Sequence, residues 1–171
     1  MKIFNFLNRK KQVMMKENKT LINKEEFDKK SDEELLKNRI NAMEKSIHDM
    51  KIDEQIMEES IEIIKERDLG NKAIISLFEL MQRNPLSNFG TPGAMVHYLE
   101  SLDGYEKYLI NSIKNNPTLH TLWMLNRCIN KHNGKEKEYL KLMKEVSLRS
   151  DIDTSIKAFA KEFVEYQEGN N

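Results

Sequence analysis

The stretch "GTPGAMVHYLESLDGYEKYLINSIKNNPTLHTLWMLNRCIN", residues 90–130, contains the pattern that decides the fold of this chain. Short apolar runs with helical spacing alternate with turn residues such as Gly104 and the pair Asn116-Pro117. None of these runs alternates apolar and polar residues as a half-buried strand does. The stretch therefore predicts consecutive short α-helices and no strands.

The beginning of this stretch, Thr91-Pro92-Gly93, has two interpretations. Threonine is a good N-cap and proline is favoured at the first helical position, which predicts that Thr91 caps a helix and that Gly93→Ala is tolerated. The alternative is a glycine loop that lets backbone approach a phosphate. That loop needs a preceding strand and a following lysine and hydroxyl, whereas Ala94 and Met95 follow here. We therefore prefer the helix start.

The same alternation of apolar runs and turn residues continues over residues 70–168, where six apolar helical faces group into three pairs. Each pair is about 31–34 residues long, the length of one repeat in α-solenoids. Residues 31–69 carry one further apolar face, on one long helix or on two helices joined near residues 49–53, with Ser31 and Glu34 as a predicted capping box. The predicted fold is all-α: a short stack of antiparallel helix pairs resembling HEAT repeats, without strands.

Composition limits the classes of protein to consider. The 171 residues suit a single helical domain over residues 31–168. The 28 basic and 28 acidic side chains balance, which argues against direct nucleic-acid binding by bulk charge. One cysteine excludes an internal disulfide framework and fits a reducing cytoplasm.

Residues 1–30 form a basic, amphipathic segment that we expect to be partly mobile. Its apolar start, Ile3 to Leu7, is too short for the core of a signal peptide and for a transmembrane span. The preferred interpretation is a short helix that packs on the domain or frays. The alternative is a weak contact of this segment with a membrane surface, because Arg9, Lys10 and Lys11 follow the aromatic residues.

Residue types that carry chemistry are scattered. His48, His97, His120 and His132 lack the spacing of metal ligands, so we predict no metal and no cofactor. Cys128 lies on an apolar helical face, which favours a buried structural thiol over a nucleophile. No catalytic residue is predicted, and the expectation is a protein that is not an enzyme.

One charged pattern is dense enough to suggest a surface. Residues 31–68 contain twelve acidic and six basic side chains, and five of the acidic residues follow helical spacing: Glu54, Glu58, Glu59, Glu62 and Glu66. A solvated helix face is the ordinary explanation of such a stripe. A docking surface for a basic partner is the functional alternative.

Residues 90–130 also resemble the C-terminal core of small helical immunity proteins from bacterial toxin–immunity systems, including polymorphic toxin and contact-dependent inhibition systems. The matching elements are Thr91-Pro92-Gly93, Val96-His97, Glu100, Pro117-Thr118, Thr121, Trp123 to Arg127, and Ile129-Asn130. The similarity extends more loosely over residues 70–168 and leaves the first 50 residues uncovered. It implies a cytoplasmic, HEAT-like, non-enzymatic protein that binds and neutralises a cognate toxin domain by occluding its active or substrate surface.

The residues leave the interface open between two places. A toxin that cuts nucleic acid carries a basic groove, which the acidic stripe would match, and the other candidate is a ridge around His97, Glu100 and Arg127. Trp123 is expected in the core, and Arg127 is expected to anchor a carboxylate or a helix end. Two further functions remain as alternatives: a helical-repeat adaptor in another complex, and an enzyme whose dispersed site surrounds His97.

Overall fold

The structure is a computed structural model that describes Lys29, residues 31–131 and residues 134–169. It is all-helical in this part of the chain, with isolated backbone bridges but no strand. The helices are α1 (residues 31–45), α2 (Glu54–Glu66), α3 (Gly70–Arg83), α4 (Ala94–Glu100), α5 (Tyr105–Asn115), α6 (Leu119–Asn130), α7 (Glu136–Ser147) and α8 (Thr154–Gly169). Among these residues, no helix combines the length and apolar character needed to cross a membrane.

The chain divides into two compact units, residues 1–38 and residues 39–171. The described part of the first unit, Lys29 and residues 31–38, is helical. Ser31 is itself helical, as is Lys29 before it, so the prediction that Ser31 caps the helix is wrong. The other predictions for residues 1–28 lie outside the described residues.

The acidic region forms two helices rather than one. Residues 46–53 separate α1 from α2 and include two left-handed positions, Asp49 (φ 48°) and Met50 (φ 59°). Asp53 caps α2, because its side chain accepts a hydrogen bond from the Ile56 amide at 3.1 Å. The buried residues Met57, Ile61 and Ile64 recur at helical spacing and form the apolar face of α2.

Helix pairing confirms the predicted stack of helices, with one difference at its start. Sequential neighbours α5 and α6, and likewise α7 and α8, pack against each other. The predicted pairing of the helices over residues 70–83 and 94–100 is replaced by crossed contacts: α3 packs on α5, and α4 packs on α2. Apolar periodicity shows which face of a helix is buried and carries no information about the helix that covers it.

Helix ends follow local signals at several places. Thr118 caps α6 by accepting a hydrogen bond from the Thr121 amide at 3.0 Å, and the Thr121 hydroxyl accepts one from the Thr118 amide. Gly104, predicted to be a turn residue between two helices, takes a left-handed conformation (φ 75°) as the N-cap of α5. α4 has already ended at Glu100.

Candidate partner-binding site

The connection between α3 and α4 is held against the segment that precedes α2. The Asn88 amide donates a hydrogen bond to the Met50 carbonyl at 2.7 Å, and the Ile52 amide donates one to the Asn88 carbonyl at 3.2 Å. The Asn88 side chain accepts a hydrogen bond from the Gly90 amide at 2.8 Å. These bonds fix the loop of residues 90–93 opposite α2.

The loop places Gly93, not Thr91, at the start of α4. Gly93 is the N-cap, and its carbonyl accepts hydrogen bonds from the Val96 and His97 amides at 3.1 and 3.2 Å. The prediction that Thr91 caps the helix is therefore wrong, and Thr91 is an exposed turn residue two positions earlier. Sequence preference favoured threonine as the cap, but α4 begins at Ala94, so Thr91 and Pro92 both lie before the helix.

Gly93 is needed because backbone and a side chain approach it closely. A Cβ atom at this position would overlap the Phe89 carbonyl oxygen and would lie 2.8 Å from the Met57 methyl group on α2. The expected tolerance of Gly93→Ala is thus contradicted by the structure. The glycine allows close packing within the loop and against α2.

A groove of about 530 Å³ lies between α2 and this loop, and we call it the acidic groove. One wall carries Glu54, Glu58 and Glu62, which are spaced four residues apart along α2 and are all exposed. The other wall is formed by residues 90–94 and the exposed His97. The structure therefore places three residues of the acidic stripe beside His97 of the other candidate surface, whereas Glu100 and Arg127 do not line the groove.

The remaining members of the acidic stripe do not line the groove. Glu59 and Glu66 are exposed on α2, and the Glu59 carboxylate accepts a hydrogen bond from the Gln55 side chain at 2.9 Å. In the part of the chain that the structure describes, Glu54, Glu58 and Glu62 take part in no hydrogen bond or ion pair through their side chains. Lys65 is the cation of the groove wall, and its Nζ lies 5.7 Å from the centre of the Tyr98 ring.

Glu100 and Arg127, two other candidate binding residues, bond to each other. The Arg127 guanidinium donates two hydrogen bonds of 2.9 Å to the Glu100 carboxylate and so links α4 to α6. The Glu100 side chain is 12% exposed, and its hydrogen bond to Arg127 holds its pKa below the ordinary value although burial acts in the opposite direction. The expectation that Arg127 anchors a carboxylate is confirmed, and the carboxylate belongs to this chain.

A second, smaller cavity of about 170 Å³ lies beside the acidic groove. Its wall residues come from the α3–α4 connection, α6 and α8: Leu86, Ser87, Asn88, Thr91, Leu119, His120, Trp123 and Phe159. We call it the aromatic pocket. Thr91 lines both cavities, so the groove and the pocket are neighbours across one residue.

Trp123 is half-buried and lines this pocket, so the prediction that its ring is enclosed in the core is wrong. The Arg127 guanidinium lies 5.0 Å from the centre of the Trp123 ring and covers part of it. The pocket could not be predicted from the sequence, because its residues come from three separate segments of the chain. The only signal in the sequence was the single tryptophan of the chain, which lies between the apolar residues Leu122 and Met124.

His120 is a buried residue in the wall of the aromatic pocket. The residue is 3% exposed, and within the described chain its Nε2 atom has no hydrogen-bond partner. Burial lowers the pKa of His120 to about 4, so the imidazole is neutral at pH 7. Its ring centre lies 5.5 Å from that of Phe89 and 5.8 Å from that of Trp123.

The other residues that suggested chemistry have structural surroundings. Cys128 is buried, as predicted, with its Sγ atom 3.4 Å from the Tyr105 hydroxyl. Burial raises the pKa of this thiol, which keeps it protonated and weakly nucleophilic. The Gln167 amide donates hydrogen bonds to the Asn126 and Asn130 side chains at 2.7 and 2.8 Å and joins α8 to α6.

Among the described residues, no group of three or more His, Cys, Asp or Glu side chains could hold a metal ion. His132 lies outside the described residues. Comparisons with protein-family models, with curated proteins and with solved structures find no match for this chain.

Proposed function

We propose that this chain is a cytoplasmic immunity protein that binds a cognate bacterial toxin domain and occludes a basic active or substrate surface of that domain. The observation that carries the proposal is the acidic groove, where three exposed carboxylates of α2 face a loop held by close packing. The proposed activity is binding without turnover. The resemblance of residues 90–130 to helical immunity proteins supports the same function.

Electrostatics favour a basic occupant of the groove. Glu54, Glu58 and Glu62 follow one another at intervals of four residues, about one helical turn. Like charges at this spacing repel each other and destabilise a helix. A lysine or arginine of the partner would relieve this repulsion at each position. Complementary charge of this kind raises the association rate and selects the partner more than it raises affinity. A toxin that binds nucleic acid offers the required basic surface.

The first experiment identifies the partner and measures the role of charge. We expect the chain to co-purify with the product of the adjacent reading frame when the two are expressed together. The association rate should fall steeply with added salt, because steering acts over a Debye length of about 10 Å at 0.1 M ionic strength. Biolayer interferometry at several salt concentrations measures that rate.

The second experiment separates the groove from overall charge. We compare the double variant Glu58→Lys/Glu62→Lys with Glu59→Lys/Glu66→Lys, which changes the net charge equally on the same helix but outside the groove. The groove variant should weaken binding by about 10- to 100-fold, mainly through faster dissociation, since contacts of close charge pairs are lost. The control should mainly slow association. Circular dichroism should show unchanged helix content in both.

Three results would contradict this proposal. Equal losses from both double variants, with the same dissociation rate, would remove the groove from the interface. Substrate turnover that is lost on His97→Ala would support the alternative of an enzyme with a site around His97. Co-purification with an unrelated complex, independent of any toxin, would support the adaptor alternative.

A further inference from the structure

Lys65 completes a row of charged side chains along the α2 wall of the acidic groove. It lies eleven residues after Glu54, which is about three helical turns, so the two side chains leave α2 in nearly the same direction. At 1.5 Å per residue the two positions are about 16 Å apart, with Glu58 and Glu62 between them. The charges of the groove therefore have an order: three carboxylates followed by one ammonium group.

The ammonium group of Lys65 is open to a ligand. A glutamate and a lysine three residues apart on a helix can form an ion pair. Within the described chain, however, Lys65 forms no ion pair with Glu62 or with any other carboxylate. The side chain is exposed, and its Nζ lies 5.7 Å from the centre of the Tyr98 ring. Attraction to the face of this ring holds the positive charge beside the groove.

Apolar residues also line the groove. Met57 and Ile61 do so from α2, and Ala94 does so from the start of α4. Lysine and arginine bury their methylene stems on apolar surface while their charged ends remain in water. Among the described residues no cluster of acidic side chains could hold a metal ion. The lining therefore fits long basic side chains of a polypeptide and not a small inorganic cation.

We propose that the acidic groove binds a partner segment in which basic side chains are followed by an acidic one, and that Lys65 selects this segment by pairing with its carboxylate. The inference rests on the proposed function, because it takes a polypeptide with basic residues as the occupant of this groove. A segment with basic residues alone would bring a positive charge next to Lys65. Like charges brought together at an interface oppose binding, so Lys65 discriminates against such segments.

Two peptides separate this order of charges from the general attraction of an acidic groove for positive charge. The first is acetyl-Arg-Gly-Arg-Gly-Arg-Gly-Glu-amide, and the second has Gln in place of Glu. Alternate residues of an extended chain are about 6.6 Å apart, close to the spacing of about 6 Å between successive glutamates on α2. In titrations of the ¹⁵N-labelled full-length protein, both peptides should shift the amide resonances of Gly90 and Gly93, which line the groove.

The expected preference is opposite to the one that net charge alone predicts. The Glu peptide should bind about two- to fivefold more tightly than the Gln peptide, which is the effect of one exposed ion pair. Its net positive charge is nevertheless smaller, so attraction to the three glutamates would favour the Gln peptide. The sign of the difference therefore reports whether Lys65 contacts the carboxylate.

Variants of Lys65 assign this preference to one side chain. Lys65→Met should abolish it, Lys65→Glu should reverse it, and Lys65→Arg should keep it. Lys107→Met is the matched control, because Lys107 also lies over a tyrosine ring, 4.9 Å from the centre of Tyr108, but does not line the groove. This control should keep the wild-type preference. Circular dichroism should show the same helix content in all four variants.

Results of two kinds would overturn the inference. Tighter binding of the Gln peptide to the wild type, or a preference that survives Lys65→Met, would remove Lys65 from selection and leave a groove for basic segments. Absent shifts of both glycine resonances, or equal affinities of the wild type and the groove variant Glu58→Lys/Glu62→Lys, would contradict the proposed function as well.

Discussion

Replacing Gly93 by alanine tests the packing that forms the acidic groove. The new Cβ atom would lie 2.8 Å from the Met57 methyl group and would also overlap the Phe89 carbonyl oxygen. Carbon atoms in contact lie about 3.5–4.0 Å apart, so the loop and α2 would have to separate by roughly 1 Å. Met57 can rotate away, whereas the carbonyl belongs to the backbone and cannot. We therefore expect a cost at the upper end of the range for overpacked sites, about 3 kcal/mol.

Thermal unfolding followed by circular dichroism measures this cost. For a chain of this size about 1 kcal/mol shifts Tm by 2–4 °C, so Gly93→Ala should lower Tm by about 6–12 °C. Gly169→Ala is the matched control, because no atom lies within 4 Å of its added Cβ. Thr91→Ala should change the free energy of unfolding by less than about 0.5 kcal/mol, as an exposed position does. An unchanged Tm for Gly93→Ala together with a loss for Thr91→Ala would refute the reasoning and restore Thr91 as the cap.

Three other changes have defined outcomes. Trp123→Ala should lower the free energy of unfolding by about 1–2 kcal/mol in urea denaturation, less than a fully enclosed tryptophan costs, because the ring is half-buried. Glu100→Gln should lower the free energy of unfolding by about 1 kcal/mol at pH 7, a value that allows for the partial exposure of Arg127. The difference in stability between the wild type and this variant should disappear as the pH falls through the lowered pKa of Glu100. The pKa of His120 is about 4 in the folded state against 6.5 in the unfolded state, so the unfolded state binds a proton first as the pH falls. The free energy of unfolding should therefore fall by about 3 kcal/mol between pH 6.5 and 4. His120→Phe should remove this loss.

Much of the local structure could be predicted from the sequence. The positions of α3 and of α5 to α8 follow from apolar residues three and four apart, because side chains at this spacing share one helical face. The break between α1 and α2 was expected near Asp49–Asp53 as one of two alternatives, and Asp53 indeed caps α2. The N-cap of α4 was predicted wrongly, because both Thr91 and Gly93 are residue types that can cap a helix.

The candidate site could be predicted only in part. The acidic stripe was visible because its residues lie on one helix, and the structure divides it into Glu54, Glu58 and Glu62 inside the groove and Glu59 and Glu66 outside. The pair of Glu100 and Arg127 joins residues 27 positions apart in the chain. The aromatic pocket was not predicted, since no spacing along the chain connects Leu86, Trp123 and Phe159.

The sequence by itself determined that the described chain is helical, where most of its helices lie and which face of each is apolar. These properties depend on residues within about four positions of one another. The tertiary structure decided that α4 packs on α2 and α3 on α5, that Gly93 lies against Met57, and that a groove and a pocket meet at Thr91. Those features depend on which apolar faces fit together in space, and the fit is set by side-chain volume and backbone approach between segments that are distant in the chain.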